Sequence, residues 1–176
     1  MSLVVEHLSK KFGDHVAVED LSFSIEKPGV FAFLGTNGAG KSTSIRMILG
    51  MLSRDSGTVT WNGQPLDIMK EQVGYLAEER GLYPKYNILE QMYYFASIKG
   101  MKKKDATAAI DYLFARLKIE EYKKKKAEQL SKGNQQKVQL AAALLCNPEI
   151  IILDEPLSGL DPVNADLFKS IIREER

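Results

Sequence analysis

The order of hydrophobic and polar positions divides the chain into strand-like and helix-like segments. Apolar residues alternate with polar ones over 3–8, 16–25 and 57–61, which predicts antiparallel strands. The runs 30–34 and 149–153 are continuously apolar, as expected for short parallel strands buried on both faces. Strands are therefore predicted on both sides of a long central segment that lacks this alternation.

That central segment, 85–147, has apolar residues at intervals of three and four, which is typical of helices that bury one face. Further helices are predicted over 42–49, from Ser131, whose side chain can cap the first turn, and from Asp161-Pro162. The pattern predicts a single α/β domain. A core with a β subdomain would comprise 1–84 and 148–176. A helical subdomain would comprise 85–147.

Composition excludes some classes of function. Lysine and arginine total 24 against 23 acidic residues, and this balance gives no sign of a nucleic-acid partner. The single cysteine, Cys146, excludes an intrachain disulfide, and we interpret it as a buried structural thiol. No secretory signal and no apolar run of membrane-spanning length is visible, so we expect a soluble chain whose membrane role would come through a partner.

The most informative motif is GTNGAGKST, which lies between the predicted strand 30–34 and the predicted helix 42–49. Its spacing, Gly-x-x-x-x-Gly-Lys-Ser, is that of a P-loop, in which glycines let backbone N–H groups surround a phosphate. Lys41 would reach the β and γ phosphates, and Ser42 would offer its hydroxyl to Mg²⁺. The predicted nucleotide-binding residues are Gly35, Thr36, Asn37, Gly38, Ala39, Gly40, Lys41, Ser42 and Thr43.

A second motif, Asp154-Glu155, directly follows the apolar run 149–153, at the strand end where α/β proteins bind ligands. In P-loop enzymes an aspartate at this place holds Mg²⁺, and an adjacent glutamate can orient or deprotonate the attacking water. We therefore predict hydrolysis of ATP or GTP. Lys41 and Glu155 would be the catalytic residues, with Ser42 and Asp154 at the metal.

Three further motifs carry a family resemblance. LSKGNQQK, at 130–137, resembles the signature motif of ATP-binding cassette (ABC) ATPases, and LSGLDP, at 157–162, resembles their D-loop. Phe12 matches the aromatic residue that stacks on adenine in that family. The resemblance runs from about Leu3 to Arg176 and is most specific for cassettes of bacterial sodium and antibiotic exporters. It implies a P-loop NTPase with a parallel core sheet, an N-terminal antiparallel β subdomain and a helical signature subdomain.

The resemblance also implies ligands and partners. ATP and Mg²⁺ would be the cofactors, and two copies would form a head-to-tail homodimer. Signature residues of one copy would contact ATP on the other: Ser131, Lys132, Gly133 and Asn134. A separate membrane permease would dock on 83–95, which places the chain in the cytoplasm on the inner face of the cell membrane. No nucleic acid is expected. Two alternatives stay open: a soluble ABC ATPase outside transport, and a nucleotide-binding or assembly module without turnover.

The sequence departs from the family pattern in three places. Glu78 occupies the position of the usual Q-loop glutamine and would add negative charge near a metal, which weakens its assignment as a metal contact. Lys132 and Asn134 replace a glycine and a glutamine of the signature motif. The family's C-terminal strands and a phosphate-contacting histidine lie beyond Arg176. We therefore expect a truncated cassette that hydrolyses ATP poorly, with a neighbouring chain or a rearranged sheet in the place of the missing strand.

Overall fold

The computed structural model describes residues 2–36, 38–68, 73–78, 81–158 and 160–174. They fall into two compact units, Met1–Glu71 and Gln72–Glu175. The first unit holds a four-stranded antiparallel sheet and the second a two-stranded parallel sheet. Together with the helices, these sheets confirm the predicted α/β class.

The antiparallel sheet of the first unit has the strand order β2-β1-β3-β4. Its strands are β1 (Leu3–Phe12), β2 (His15–Ile25), β3 (Ser56–Trp61) and β4 (Gln64–Pro65). Alternate residues of β1 and β3 are buried, as the sequence pattern requires for a sheet with one covered face. The prediction of antiparallel strands in this region is confirmed.

The predicted strand at 30–34 is wrong, because no described strand pairs with these residues. Val30, Phe31 and Leu34 are 60%, 49% and 88% exposed. An apolar run predicts burial, but a strand also needs a neighbour to complete its ladder of backbone hydrogen bonds. Instead, the ring of Phe31 stacks on that of Phe23 with centroids 5.0 Å apart. The helix predicted after the glycine loop does form, as α1 (Lys41–Ile48).

The parallel sheet of the second unit pairs β5 (Val73–Leu76) with β6 (Ile150–Leu153), with Leu76 opposite Leu153. The sequence predicted β6, which is half-buried instead of fully buried. It missed β5, because four residues are too few for a periodic pattern to stand out. A Cβ on Gly74 of β5 would lie 2.3 Å from the carbonyl oxygen of Ala143, so a helix packs directly on this strand.

The described part of the second unit also contains four helices. They are α2 (Ile88–Ile98), α3 (Lys103–Leu117), α4 (Lys132–Leu144) and α5 (Pro162–Glu174). Short 3-10 turns lie between α3 and α4. The core is built from their apolar faces and includes the fully buried side chains of Ile88, Met92, Ile110, Phe114, Leu117 and Phe168. The helical periodicity is thus confirmed, whereas a separate subdomain at 85–147 stays a prediction.

Candidate nucleotide site

The loop that leads into α1 is shaped by glycines with positive φ. Gly38 and Gly40 have φ angles of 82° and 80°, a region that residues with a Cβ rarely adopt. A Cβ on Gly40 would also lie 2.3 Å from the carbonyl oxygen of Ala17 in β2. The N–H of Ala39 donates to the carbonyl oxygen of Thr36 at 3.2 Å. Strand β2 therefore limits position 40 to glycine.

Lys41 closes this loop on itself. Its Nζ donates to the carbonyl oxygens of Gly35 and Thr36 at 2.7 and 2.9 Å. Ser42 and Thr43 follow in the first turn of α1 and are half-buried. The helix begins at Gly40 without a side-chain cap and has no acidic residue in its first turn. No carboxylate of the first turn therefore competes with a phosphate for its N-terminal N–H groups and the positive end of its dipole.

Phe12 ends β1 and presents a half-exposed ring, with Lys10 Nζ 5.6 Å from its centroid. An exposed aromatic face is suited to stacking on a nucleotide base. The adenine contact of Phe12 stays a prediction. Asn37 lies outside the described residues.

Asp154 and Glu155 lie directly after β6, in the second unit. Asp154 is buried, and its N–H donates to the carbonyl oxygen of Leu76 in β5 at 2.9 Å. Glu155 is exposed and has a φ of 50°. The next residue, Pro156, stands second in a tight turn that Ser158 closes by donating its N–H to the carbonyl oxygen of Glu155 at 3.0 Å. The fold thus buries one carboxylate and exposes its neighbour.

Glu78 follows β5 by two residues and is exposed. Because β5 and β6 are parallel and in register, Glu78 and Asp154 both follow the carboxyl edge of the same small sheet. Its role as a metal contact stays a prediction.

The donor chemistry fits Mg²⁺, which takes oxygen ligands and usually keeps several waters and phosphate oxygens. The Ser42 hydroxyl and the Asp154 carboxylate each offer such an oxygen. Among the described residues there is no cluster of three histidine, cysteine or acidic side chains that could hold a metal by itself.

The signature residues occupy the N-terminus of α4. Ser131 caps the helix, since its Oγ accepts a hydrogen bond from the N–H of Asn134 at 3.3 Å. A hydroxyl that accepts here can still donate its proton to a phosphate. Lys132 is exposed, and a Cβ on Gly133 would lie 3.5 Å from Leu160 Cδ2. The nucleotide contacts of these residues stay predictions.

Asn134 is used within the subunit. Its Nδ2 donates to the hydroxyl of Tyr122 at 3.0 Å. The side-chain hydrogen bond of Tyr122 with Glu121 raises the pKa of Tyr122 above its ordinary value, with a smaller contribution from burial. Tyr122 therefore stays a neutral hydroxyl that can accept from Asn134.

Sequence reasoning gave no individual role to Gln136 and Lys137, the next residues of this motif. Both are buried in α4. Burial lowers the pKa of Lys137, an effect that the negative charge of Asp161 partly reverses. They could have been found in the sequence because they are long polar side chains next to the apolar face of a predicted helix.

Comparison with known proteins identifies the family. The sequence profile of the ABC transporter family matches residues 18–158. The chain belongs to the ABC transporter ATP-binding family. It is 48% identical over 171 residues to the uncharacterized ABC transporter ATP-binding protein YhaQ of Bacillus subtilis, covering 97% of this chain and 57% of that protein. A solved ATP-binding subunit of an ABC transporter matches 99% of this cassette and 75% of its own chain, with a TM-score of 0.89 and 28% identity.

Other relatives differ in the direction of transport that their names state. The Nod factor export ATP-binding protein I of Burkholderia lata is 34% identical over 89% of this cassette and 53% of its own length. The Fe(3+) ions import ATP-binding protein FbpC of Fusobacterium nucleatum is 32% identical over 99% of the cassette and 48% of its own length. The cassette thus spans about half the length of these curated relatives. Within its described part, every helix is too short or too polar to cross a membrane.

Proposed function

We propose that this cassette binds and hydrolyses ATP as the nucleotide-binding subunit of an exporter. The observation that carries the proposal is the glycine loop at α1. There, Lys41 Nζ is held by two loop carbonyls, and the helix N-terminus is left without a cap or a carboxylate. The uncapped helix N-terminus and the positive charge of the ammonium beside it favour the polyphosphate of a nucleotide. On binding, the Lys41 ammonium would exchange its carbonyl acceptors for phosphate oxygens.

For hydrolysis, Glu155 is the residue that acts on water. Its carboxylate is exposed beside the buried Asp154, so the two acids can divide the work of water activation and metal binding. Ser42 and Asp154 would hold Mg²⁺, which when bound neutralises phosphate charge. Lys41 would hold the γ-phosphate while its charge develops.

A second copy is proposed to complete the site. Ser131 is exposed, its hydroxyl proton is available, and it stands at the positive end of α4. These properties suit a γ-phosphate bound by another copy in a head-to-tail homodimer. Export is proposed because the motifs most resemble those of exporter cassettes. Relatives named for import and for export have similar sequence identity to this cassette, 32% and 34%.

A permease is proposed as the third component, docked on an aromatic surface made of Tyr83, Tyr86 and Tyr94. These side chains are 47%, 62% and 50% exposed, and the Tyr83 ring contacts the other two at centroid distances of 6.0 and 6.2 Å. Tyrosine rings with exposed edges are frequent in protein interfaces. Docking would hold the cassette on the inner face of the membrane.

The test measures ATP affinity and ATP turnover of the whole encoded chain, with and without Mg²⁺. Lys41→Ala is expected to weaken ATP binding, because it removes the charge that holds the phosphates. Glu155→Gln is expected to keep ATP binding, to abolish turnover and to trap a dimer that is visible by light scattering.

Three outcomes would overturn parts of this proposal. Unchanged turnover in Glu155→Gln would remove that residue from its role. ATP binding without turnover in the wild type would indicate a module that does not hydrolyse. Failure to co-purify with any integral membrane protein, with turnover intact, would favour a soluble ATPase.

A further inference from the structure

Gln136 connects α4 to the loop that carries Glu155. Its Nε2 lies 2.8 Å from the carbonyl oxygen of Pro156 and 3.4 Å from that of Glu155. The side chain is only 7% exposed. Because both neighbours are acceptors, the amide nitrogen has to face them, which fixes the orientation of the amide group. Gln136 therefore donates to the backbone of two consecutive loop residues.

The backbone of Glu155 is in a conformation that needs support. Its φ of 50° lies in the left-handed region, which residues with a Cβ rarely adopt. On one side, the N–H of Asp154 is bound to the Leu76 carbonyl of β5 at 2.9 Å. On the other side, Gln136 binds the carbonyls that follow. Glu155 is thus held between a strand and a helix.

A glutamine at position 136 would lower the stability of the fold if its side chain only filled the core. Gln136 Oε1 is buried and has no hydrogen-bond partner among the described residues. Its helix neighbours Val138, Leu140 and Ala141 are apolar and fully buried. A buried acceptor without a donor lowers stability, and an apolar side chain of the same length would avoid this cost. The part of the amide that is satisfied is Nε2, which serves the loop of Glu155 and Pro156.

We propose that Gln136 is a positioning residue for hydrolysis, which holds the backbone of Glu155 so that its carboxylate faces the attacking water. This inference rests on the proposed function, because that function assigns the water to Glu155. Helix α4 begins at Ser131, less than two turns before Gln136. The hydrogen bonds of Gln136 thereby join the loop of Glu155 to the same helix that offers Ser131 to a second nucleotide.

The test replaces Gln136 by methionine, which keeps the length of the side chain and removes its N–H donors. Steady-state ATP turnover, ATP affinity and thermal unfolding are measured on the whole encoded chain. We expect kcat to fall at least about tenfold and KM for ATP to stay within about twofold, whatever the accompanying change in Tm. A residue with only a structural role would give the opposite result, a lower Tm with kcat unchanged.

Gln91 of α2 provides a matched control outside the nucleotide residues. It is 3% exposed, and its Nε2 donates to the carbonyl oxygens of Tyr83 and Tyr86 at 3.0 and 2.9 Å. Its Oε1 also accepts from the N–H of Tyr83 at 2.8 Å, so its amide is fully satisfied. Gln91→Met is expected to lower Tm, and this fall shows how much stability is lost with a buried amide that binds two carbonyls.

A double substitution tests whether Gln136 acts through Glu155. In the Glu155→Gln background, Gln136→Met should not lower the residual rate further. The inference is overturned if the double variant is slower still, or if Gln136→Met alone has the kcat of the wild type. In both cases the proposed function stands as long as the wild type turns over ATP. A wild type without turnover overturns both. If Gln136→Met does not fold, Gln136→Asn, whose shorter arm cannot reach both carbonyls, is measured with the same expectation for kcat.

Discussion

Gly40 offers a quantitative test of how the glycine loop is built, because Gly38 of the same loop is a matched control. The two glycines have nearly equal φ angles, 80° and 82°. A Cβ on Gly40 would lie 2.3 Å from the carbonyl oxygen of Ala17 and 3.0 Å from Val18 Cγ2. A Cβ on Gly38 would have no described atom within 4 Å. Alanine at either position suffers the same backbone strain, but only alanine at position 40 collides with β2.

The magnitudes follow from these two effects. A left-handed conformation costs a residue with a Cβ about 1–2 kcal/mol, and this cost applies to both variants. Alanine also restricts the unfolded chain by about 0.4–1 kcal/mol relative to glycine, again in both. Moving β2 to remove the collision adds about 1–3 kcal/mol in Gly40→Ala alone. Gly40→Ala should therefore be less stable than Gly38→Ala by about 1–3 kcal/mol.

The measurement is urea unfolding followed by the fluorescence of Trp61. This is the single tryptophan of the chain, and it is buried in β3 of the same unit as the loop. A lower midpoint with an unchanged slope in Gly40→Ala, relative to Gly38→Ala, would support the predicted collision. Equal midpoints for the two variants would refute it, because the strain common to both would then explain the whole effect.

Two further predictions concern charged residues of α4 and α5. Asp161→Ala should lower the urea midpoint at neutral pH, because the Asp161 carboxylate accepts from the N–H of Asn164 at 3.0 Å, a bond that lowers the pKa of Asp161. This stabilisation is present above the unfolded value of 3.8 and is lost as pH falls through the folded pKa, so circular-dichroism melts should converge in acid. Lys137→Met should raise Tm in calorimetry, since burial disfavours the Lys137 ammonium. That gain should shrink as pH rises towards 10.5, the ordinary pKa of lysine.

The elements that sequence reasoning predicted well are those whose signal is local. Helix starts at Ser131 and Asp161 were predicted from side chains that can cap a helix, and both side-chain oxygens accept a hydrogen bond from the N–H three residues later. The antiparallel strands of the first unit were predicted from alternation that one covered face imposes. In each case the residue and its reason lie within one turn or one strand.

The elements that were missed depend on distant partners. The run 30–34 has the composition of a buried strand, yet its burial depends on neighbours that no local pattern supplies. Strand β5 is too short to stand out, and its place is fixed by Gly74, which lets the carbonyl of Ala143 approach closely. Such contacts between residues far apart in sequence appear only in three dimensions.

The same distinction explains why the motifs identified the family but not the role of every residue in them. The glycine loop can be predicted from spacing because its residues act locally: Gly40 through its own backbone conformation, and Lys41 through hydrogen bonds to the carbonyls of Gly35 and Thr36. Gln136 acts on a loop 19 residues further along the chain, through two carbonyl oxygens that carry no side-chain signature. The motif therefore contains Gln136 without indicating what it does. The left-handed backbone of Glu155 indicates what Gln136 does, because a strained residue keeps its conformation only where the surrounding structure holds it.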